Sequence, residues 1–545
     1  MSDTTPTIEV PEPPQPDGST SGGSGKKKVV AGGAGVVVLA AIAGGGAYAY
    51  NQLSGGGAQP EDVLPATTQI YARLDLDPSA SQKIELFKLL NKVPEVGRSL
   101  GIKDPDKSDV RKLIFDEITE NACPDIDYEK DVEPWLGDRV GVGANVKDQQ
   151  FVIAVQVKDE KKAESGIDEL FSCADEDYGI AFYEGYALLS DQQKTVDDVL
   201  DATKKESLAD RQEFSDDMSA LGEKGVAAAW FDAKSVVDLF ADELGELSDD
   251  QRKQLEQAQS AAMALRVDGT AIELAGVSKA VDELERTGAP VTELPSDTVA
   301  ALSISGVGEA IAEQWDMVID QLESEFGSAS APSVDDDFLD DMPAEQRKIY
   351  EGMIADSQAP DPMDFVKQFE AETGLKLPDD LAALLGKTFT LSVGSENLDS
   401  IVSMQGPDDL EKLRIAIRTT DGEGSAIDVM TKLADFGSKN GIPLVAEKTE
   451  DGAVLATSQD IAKEVAGGGD LGKADNFRSV MPYGDRTTQA FYLNVGSIID
   501  TLLKADPPAE IRQQIEEFDV VDAVGFSAAN VDGHSKFSLR VHFTD

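Results

Sequence analysis

Few side chains in this sequence could do chemistry. Across 545 residues there are two histidines, His534 and His542, two cysteines, Cys123 and Cys173, and a large surplus of carboxylates. His534 and His542 are eight positions apart, so a strand carrying both would show them on one face. A zinc site would need further ligands, and no cysteine is close by. They read as two surface or edge-strand histidines. Without a third histidine, general acid–base chemistry would fall to carboxylates, too numerous to pick a pair by eye. Ser527, in Gly525-Phe526-Ser527-Ala528-Ala529, lacks the closing glycine of a nucleophile elbow and stands in a strand-like run. Ser24 and Lys27 have the serine–lysine spacing of penicillin-recognising enzymes but lie in a polar leader without the companion motif. Gly25-Lys26 is followed by Lys27 where a phosphate loop needs Ser or Thr. Asp75 and Asp77 open like a calcium loop, but Ala80 and Leu86 replace its glycine and glutamate. Asp77 to Ser81 reads better as a strand end and helix cap. The sequence therefore offers no catalytic residue, no metal ligand set and no cofactor site.

The overall charge narrows the partners. Asp and Glu number 103 against 48 Lys and Arg, a formal charge of −55. Nucleic acid is excluded as the main partner, because a phosphate polymer needs a basic footprint. The acidic surface would repel anionic envelope polymers and lipid headgroups. It would attract basic partners and bind cations weakly, above all near Asp335-Asp336-Asp337 and Asp340-Asp341, whose plainer reading is a solvated acidic insertion. The same charge also fits a proteome-wide adaptation to salt. At 41% hydrophobic residues the chain can build real cores.

The elements that would position a site begin outside the cytoplasm. Residues 1–25 are poor in apolar side chains and read as a disordered cytoplasmic tail. Residues 26–50 are a basic flank, Lys26-Lys27-Lys28, and an uncharged stretch of 22 residues (29–50), about 33 Å as a helix and enough for one bilayer crossing. Lysines before the span and none soon after it put the N-terminus in the cytoplasm and the bulk of the chain outside the cell. A cleaved signal peptide ending at Ala47-Tyr48-Ala49 is the rival reading. Residues 51–62 read as a flexible tether. Cys123 and Cys173, both in the exported part, read as one structural disulfide.

Beyond the tether the sequence repeats itself. Leu64-Pro65 and Leu294-Pro295 each open an alternating run that leads into a helical stretch. Trp135-Leu136-Gly137-Asp138 is matched by Leu384-Leu385-Gly386-Lys387, VIAVQVKD (152–159) by RIAIRTTD (414–421), and Phe214 by Phe477. Glu184-Gly185 and Asp451-Gly452 each split two apolar runs, a hairpin pattern in which glycine would supply a positive φ. WFDAKSVVDL (230–239) parallels YLNVGSIIDTL (492–502), and Val267-Asp268-Gly269 parallels Val531-Asp532-Gly533. The fold class expected is α+β: an internally duplicated ectodomain, repeats at 63–288 and 289–545, each an antiparallel sheet with helices packed on one face. The second repeat carries an acidic insertion near 324–362.

These residues carry a family resemblance. The lysine-flanked Gly/Ala span, the Gly-rich tether and above all LPATTQIYARLDLDPSASQKIELFKLLNKVP (64–94) resemble the opening of a family of single-pass membrane proteins found mainly in actinobacteria, catalogued as domain of unknown function three-three-five-two. The resemblance extends over essentially the whole exported region and implies no activity, cofactor or catalytic residue.

Three functions are compatible with this sequence. The first is a non-enzymatic envelope protein held in the bilayer by one helix and binding an unknown envelope protein or ligand. The second is a carrier that holds a hydrophobic molecule in the repeats. The third is a carboxylate-based envelope hydrolase, which would need inward acids with raised pKa values.

Overall fold

In the computed structural model, residues 57–76, 126–235, 259–279, 290–315, 362–404, 406–421, 424–516 and 518–544 are described, together with positions 111, 112, 115, 123, 288 and 317–319. The expected tail, the span at 29–50 and nearly all of the acidic insertion lie outside these residues. No helix among the described residues is long and apolar enough to cross a membrane.

Strands form where apolar and small residues alternate. The first eight are β1 (Ile70–Asp75), β2 (Leu136–Asn145), β3 (Gln150–Val157), β4 (Gly179–Tyr183), β5 (Tyr186–Ser190), β6 (Ala227–Asp232), β7 (Ser260–Asp268) and β8 (Ala271–Lys279). The next eight are β9 (Thr298–Ser305), β10 (Thr388–Gly394), β11 (Ile415–Thr420), β12 (Val445–Lys448), β13 (Gly452–Ala456), β14 (Gln489–Leu493), β15 (Val521–Val531) and β16 (His534–Phe543). Helices interleave with them: α1 (Glu160–Cys173), α2 (Gln193–Thr203), α3 (Gln212–Leu221), α4 (Val307–Glu313), α5 (Pro362–Thr373), α6 (Asp379–Leu385), α7 (Ala426–Lys439), α8 (Gln459–Gly467), α9 (Asp475–Val480), α10 (Val495–Lys504) and α11 (Ala509–Glu516).

All sixteen strands belong to one sheet, in the order β12-β13-β11-β10-β9-β14-β15-β16-β8-β7-β6-β1-β2-β3-β5-β4. Outward from the centre, the first repeat runs 8-7-6-1-2-3-5-4. The second runs 16-15-14-9-10-11-13-12, the same order with eight added to each number. The repeats are not two separate lobes. They share one sheet through the antiparallel pair β8–β16.

That junction has a local twofold. The β7–β8 hairpin closes at Asp268↔Ala271 and the β15–β16 hairpin at Val531↔His534. Ala275 and Ser538 each stand four residues beyond the closing pair, and they are cross-strand partners. The structure thus shifts the sequence match at this hairpin by one residue. Gly269 takes the left-handed conformation in the first turn, and Asp532 with Gly533 in the second. Glu184 and Gly185 also have positive φ, as expected of their hairpin. Gly452 does not; its lack of a Cβ matters because one would stand 2.0 Å from the Thr419 carbonyl oxygen.

Local details repeat as well. The carbonyl of Leu64 accepts from the Leu208 amide at 2.7 Å, and that of Leu294 from the Leu471 amide at 3.0 Å. Asp159 caps α1 by accepting from the Lys161 and Lys162 amides, and Asp421 accepts from the Gly424 and Ala426 amides ahead of α7. Phe214 meets Trp230 edge-on, as Phe477 meets Tyr492.

Over the outer strands helices cover both faces of the sheet, not one. On one face α2 packs over Tyr186 and Leu188 of β5 and α3 over β7 and β8, while α8 packs over Val454 and Ala456 of β13 and α9 over β15 and β16. On the other, α1 packs over Ala187 and Leu189, and α6 with α7 over Ala453 and Leu455. The alternation of β5 and β13 sends successive side chains to opposite layers. The end of the expected tether is also folded: Pro60–Asp62 is a 3-10 turn with Glu61 buried. Cys123 and Cys173 are disulfide-bonded, with Cα atoms 5.8 Å apart, which ties the chain before β2 to the end of α1.

Trp230 is fully buried beneath α3, edge-on to Phe214 and donating its indole N–H to Asp217 at 2.8 Å. Trp230→Ala should lower unfolding stability by about 3–5 kcal/mol, the usual effect of emptying an aromatic site, and the displacement of the urea midpoint measures it.

Candidate functional site

The central strands bring the sequence's polar side chains together beneath helices. We call this the covered face. Here β16 contributes His534, Lys536, Ser538, Arg540 and His542, and β8 contributes Glu273. Glu273 is 4% exposed and receives the Ser538 hydroxyl at 2.6 Å. Arg540 pairs with it at 3.1 Å and Arg266 at 3.2 Å. Burial alone would raise the Glu273 pKa, but Arg540, Ser538 and Arg266 outweigh it and hold the carboxyl below its ordinary value. Glu273 and Arg266 belong to the first repeat, Ser538 and Arg540 to the second, so the cluster fastens the junction.

A second buried cluster lies within the first repeat. Glu61 accepts from the Tyr71 hydroxyl at 2.5 Å and pairs with Lys224, and the Arg73 guanidinium is nearby. Here too burial works upward and the cations prevail, so the Glu61 pKa is lowered. Tyr186, whose hydroxyl donates to the Ala58 carbonyl at 3.0 Å, has its pKa pushed up to about 12, chiefly by burial. Eight residues past Leu64-Pro65 stands Arg73, and eight past Leu294-Pro295 stands Ser303. Ser303 shares a 2.6 Å hydrogen bond with Thr390, so hydroxyls replace the ions in the second repeat.

The opposite face of the same central strands is apolar. From β10 to β7 the register lines up three parallel rows, one residue per strand in each. The middle row runs Leu391, Leu302, Phe491, Phe526, Leu539, Leu274, Leu265. Of the twenty-one positions, Gln489 alone has a polar side chain, and only Val267 and Gly276 are buried. Leu302, Phe491 and Leu539 are 38–39% exposed. The covered face of these strands has Ser303, Ser305, Thr390, Ser527 and Ser538 at 0–2% exposure. Apart from Tyr492, small and hydroxylated side chains are sealed under helices here, while the large apolar ones of the strip are half-buried or exposed. At its ends the middle row continues into residues packed against helices: through Ala227 to the partly buried Leu74 and Val140 in the cluster with α1, and to the partly buried Ile417 and buried Leu455 in the cluster with α7.

None of the candidates singled out in the sequence lies on the apolar face. The histidines are on β16, an interior strand, not at a sheet edge. His542 contacts Asp522 at 3.0 Å and Thr270 at 2.9 Å, and His534 stands 3.7 Å from Asp217. Each meets its own partners at opposite ends of β16. Among the described residues no three His, Cys, Asp or Glu side chains converge as metal ligands. Ser527 is fully buried in β15. Asp75 pairs with Arg73 at 3.8 Å, while Asp77, Ser24, Lys27 and the aspartates at 335–341 lie outside the described residues. A cleft of about 470 Å³ opens between α6 and α7, where Lys432 pairs with Asp380 at 2.8 Å. It is lined by residues of α6 and α7 with Ser425 and by no strand residue, so it is not a space between sheet and helices. Sequence reading missed the apolar face. Its signal was present in the alternation of ALSIS and KFSLRVHF, whose large apolar residues share one phase, but choosing which phase is covered requires the helices.

A family model described as "Protein of unknown function (DUF3352)" matches residues 33–186 and 174–334. No curated protein matches the chain. Solved structures titled "Structure of crystal form I of TP0453" and "Structure of crystal form III of TP0453" align at 9% identity with TM-scores of 0.21 and 0.23, over 42% of this chain and 80% and 82% of theirs.

Because Glu273 has a lowered folded-state pKa, its stabilisation is present above the ordinary carboxylate value near 4.5 and is lost as pH falls through the folded value. Acid titration of the urea midpoint should therefore fall more steeply for the native chain than for Glu273→Gln. Glu273→Ala, which strands two arginines, should cost about 3–5 kcal/mol at neutral pH. Tyr186 has a raised value, so its contribution is complete below pH 10 and lost toward about 12; Tyr186→Phe should flatten that alkaline decline.

Proposed function

The chain belongs to the DUF3352 family of proteins of unknown function, and from that premise we propose that it is a membrane-anchored, extracytoplasmic protein that works by binding, without catalysing a reaction. The observation that carries this reading is the central sheet, whose half-exposed apolar face is wider than the scattered leucines of an ordinary surface. The buried acids add support. Glu61 and Glu273 both have pKa values lowered by cations, whereas a hydrolase's general acid needs a raised one. The uncharged segment 29–50 behind three lysines supports the anchor, with the N-terminus in the cytoplasm and the sheet outside.

Photolabelling tests the binding. The full chain in nanodiscs, irradiated with a small uncharged aromatic diazirine, should carry label on β9, β14 and β16, read by peptide mass spectrometry. Label confined to the segment 29–50 would overturn the reading. Location is tested separately: protease added to intact cells should digest the sheet, and protection until lysis would refute the topology.

A further inference from the structure

We propose that the occupant of the apolar face is the long aliphatic chain of an uncharged lipid, lying across the strands along the middle row. This rests on the binding reading above and names its ligand class. The shape is the first argument. Seven strands give six spacings of about 4.8 Å, a straight track of roughly 29 Å, and three rows along the strands make it about 13 Å wide. That is a narrow, elongated strip, suited to an extended chain. Chemistry is the second. With Gln489 as the one polar side chain in the strip, nothing there can satisfy a peptide's amides, a sugar's hydroxyls or a charged headgroup, and burying such groups unpaired is costly. Charge is the third. At −55 per chain, a second copy would bring a like-charged surface against the first, and an anionic bilayer surface would be repelled in the same way. An uncharged alkyl chain meets neither penalty. The ends supply the fourth: among the described residues the continuation of the row packs into the clusters at α1 and α7, so the track has a finite length and should select chains by length.

The same nanodisc preparation tests this by displacement of the diazirine label. Hexadecanol or octadecanol should suppress labelling of β9, β14 and β16, while octanol at equal concentration should not. Phe491→Asp and, independently, Leu539→Asp should each weaken the alcohol's hold by about tenfold or more, with circular dichroism unchanged, since each sets a charge against the chain. Labelling of the face that long alcohols fail to displace would overturn the lipid chain while leaving the binding reading intact. No labelling of the face at all removes both. Sedimentation showing a dimer that Leu539→Asp converts to monomer would assign the face to a second copy and equally overturn the proposal.

Discussion

The rest of the structure depends on the antiparallel pairing of β8 with β16. Each repeat ends on a strand whose outer edge would offer a row of unpaired amides and carbonyls, and such edges invite uncontrolled association. Here each edge is satisfied by the other. Glu273 completes the junction. A buried carboxylate between two arginines adds little net stability over apolar packing, but it accepts only one register, because a slip of one residue would turn Ser538 and Arg540 to the opposite face. Gly276 lets the strands approach with Phe537 across the seam, since a Cβ there would stand 2.2 Å from that ring.

Joining the repeats this way makes a surface that neither has alone. The outer strands are covered on both faces and form conventional three-layer cores. Toward the centre, among the described residues, the layer on the covered face continues through α3 and α9, which meet Trp230 and Tyr492 through Phe214 and Phe477 and otherwise lie above small or hydroxylated side chains. The other large apolar side chains of these strands stand on the opposite face. The two repeats fill the shared layer differently: the first with an ionic set around Glu61 and Arg73, the second with hydroxyls such as Ser303 and Thr390. Duplication preserved strand order while the buried polar chemistry diverged.

Much of the architecture was legible in the sequence. Leu64-Pro65 and Leu294-Pro295, the VIAVQVKD and RIAIRTTD strands, and the Trp230 and Tyr492 positions are local signals with local causes, and each sits at the same place in its repeat. The joining of the repeats was not legible, because β8 and β16 are 263 residues apart in the chain and antiparallel pairing leaves no composition mark. Helices on both faces were missed for a related reason. Continuous burial of β5 and β13 was visible as apolar runs, Tyr-Ala-Leu-Leu and Gly-Ala-Val-Leu-Ala, and two-sided coverage is what such runs signify. The histidines were misplaced because a strand near a chain terminus looks like an edge until its partners are known.

The local twofold at Ala275 and Ser538 has a consequence for ancestry. A contact made by the same strand from both sides is self-complementary, so it closes after two units and cannot propagate into an array. A third repeat appended to this chain would find no vacant copy of that strand to meet. The arrangement is what gene fusion would produce from a symmetric homodimer of single-repeat chains. Fusion converts a concentration-dependent assembly into an intramolecular one, and it frees each half to mutate without its mirror image changing in step.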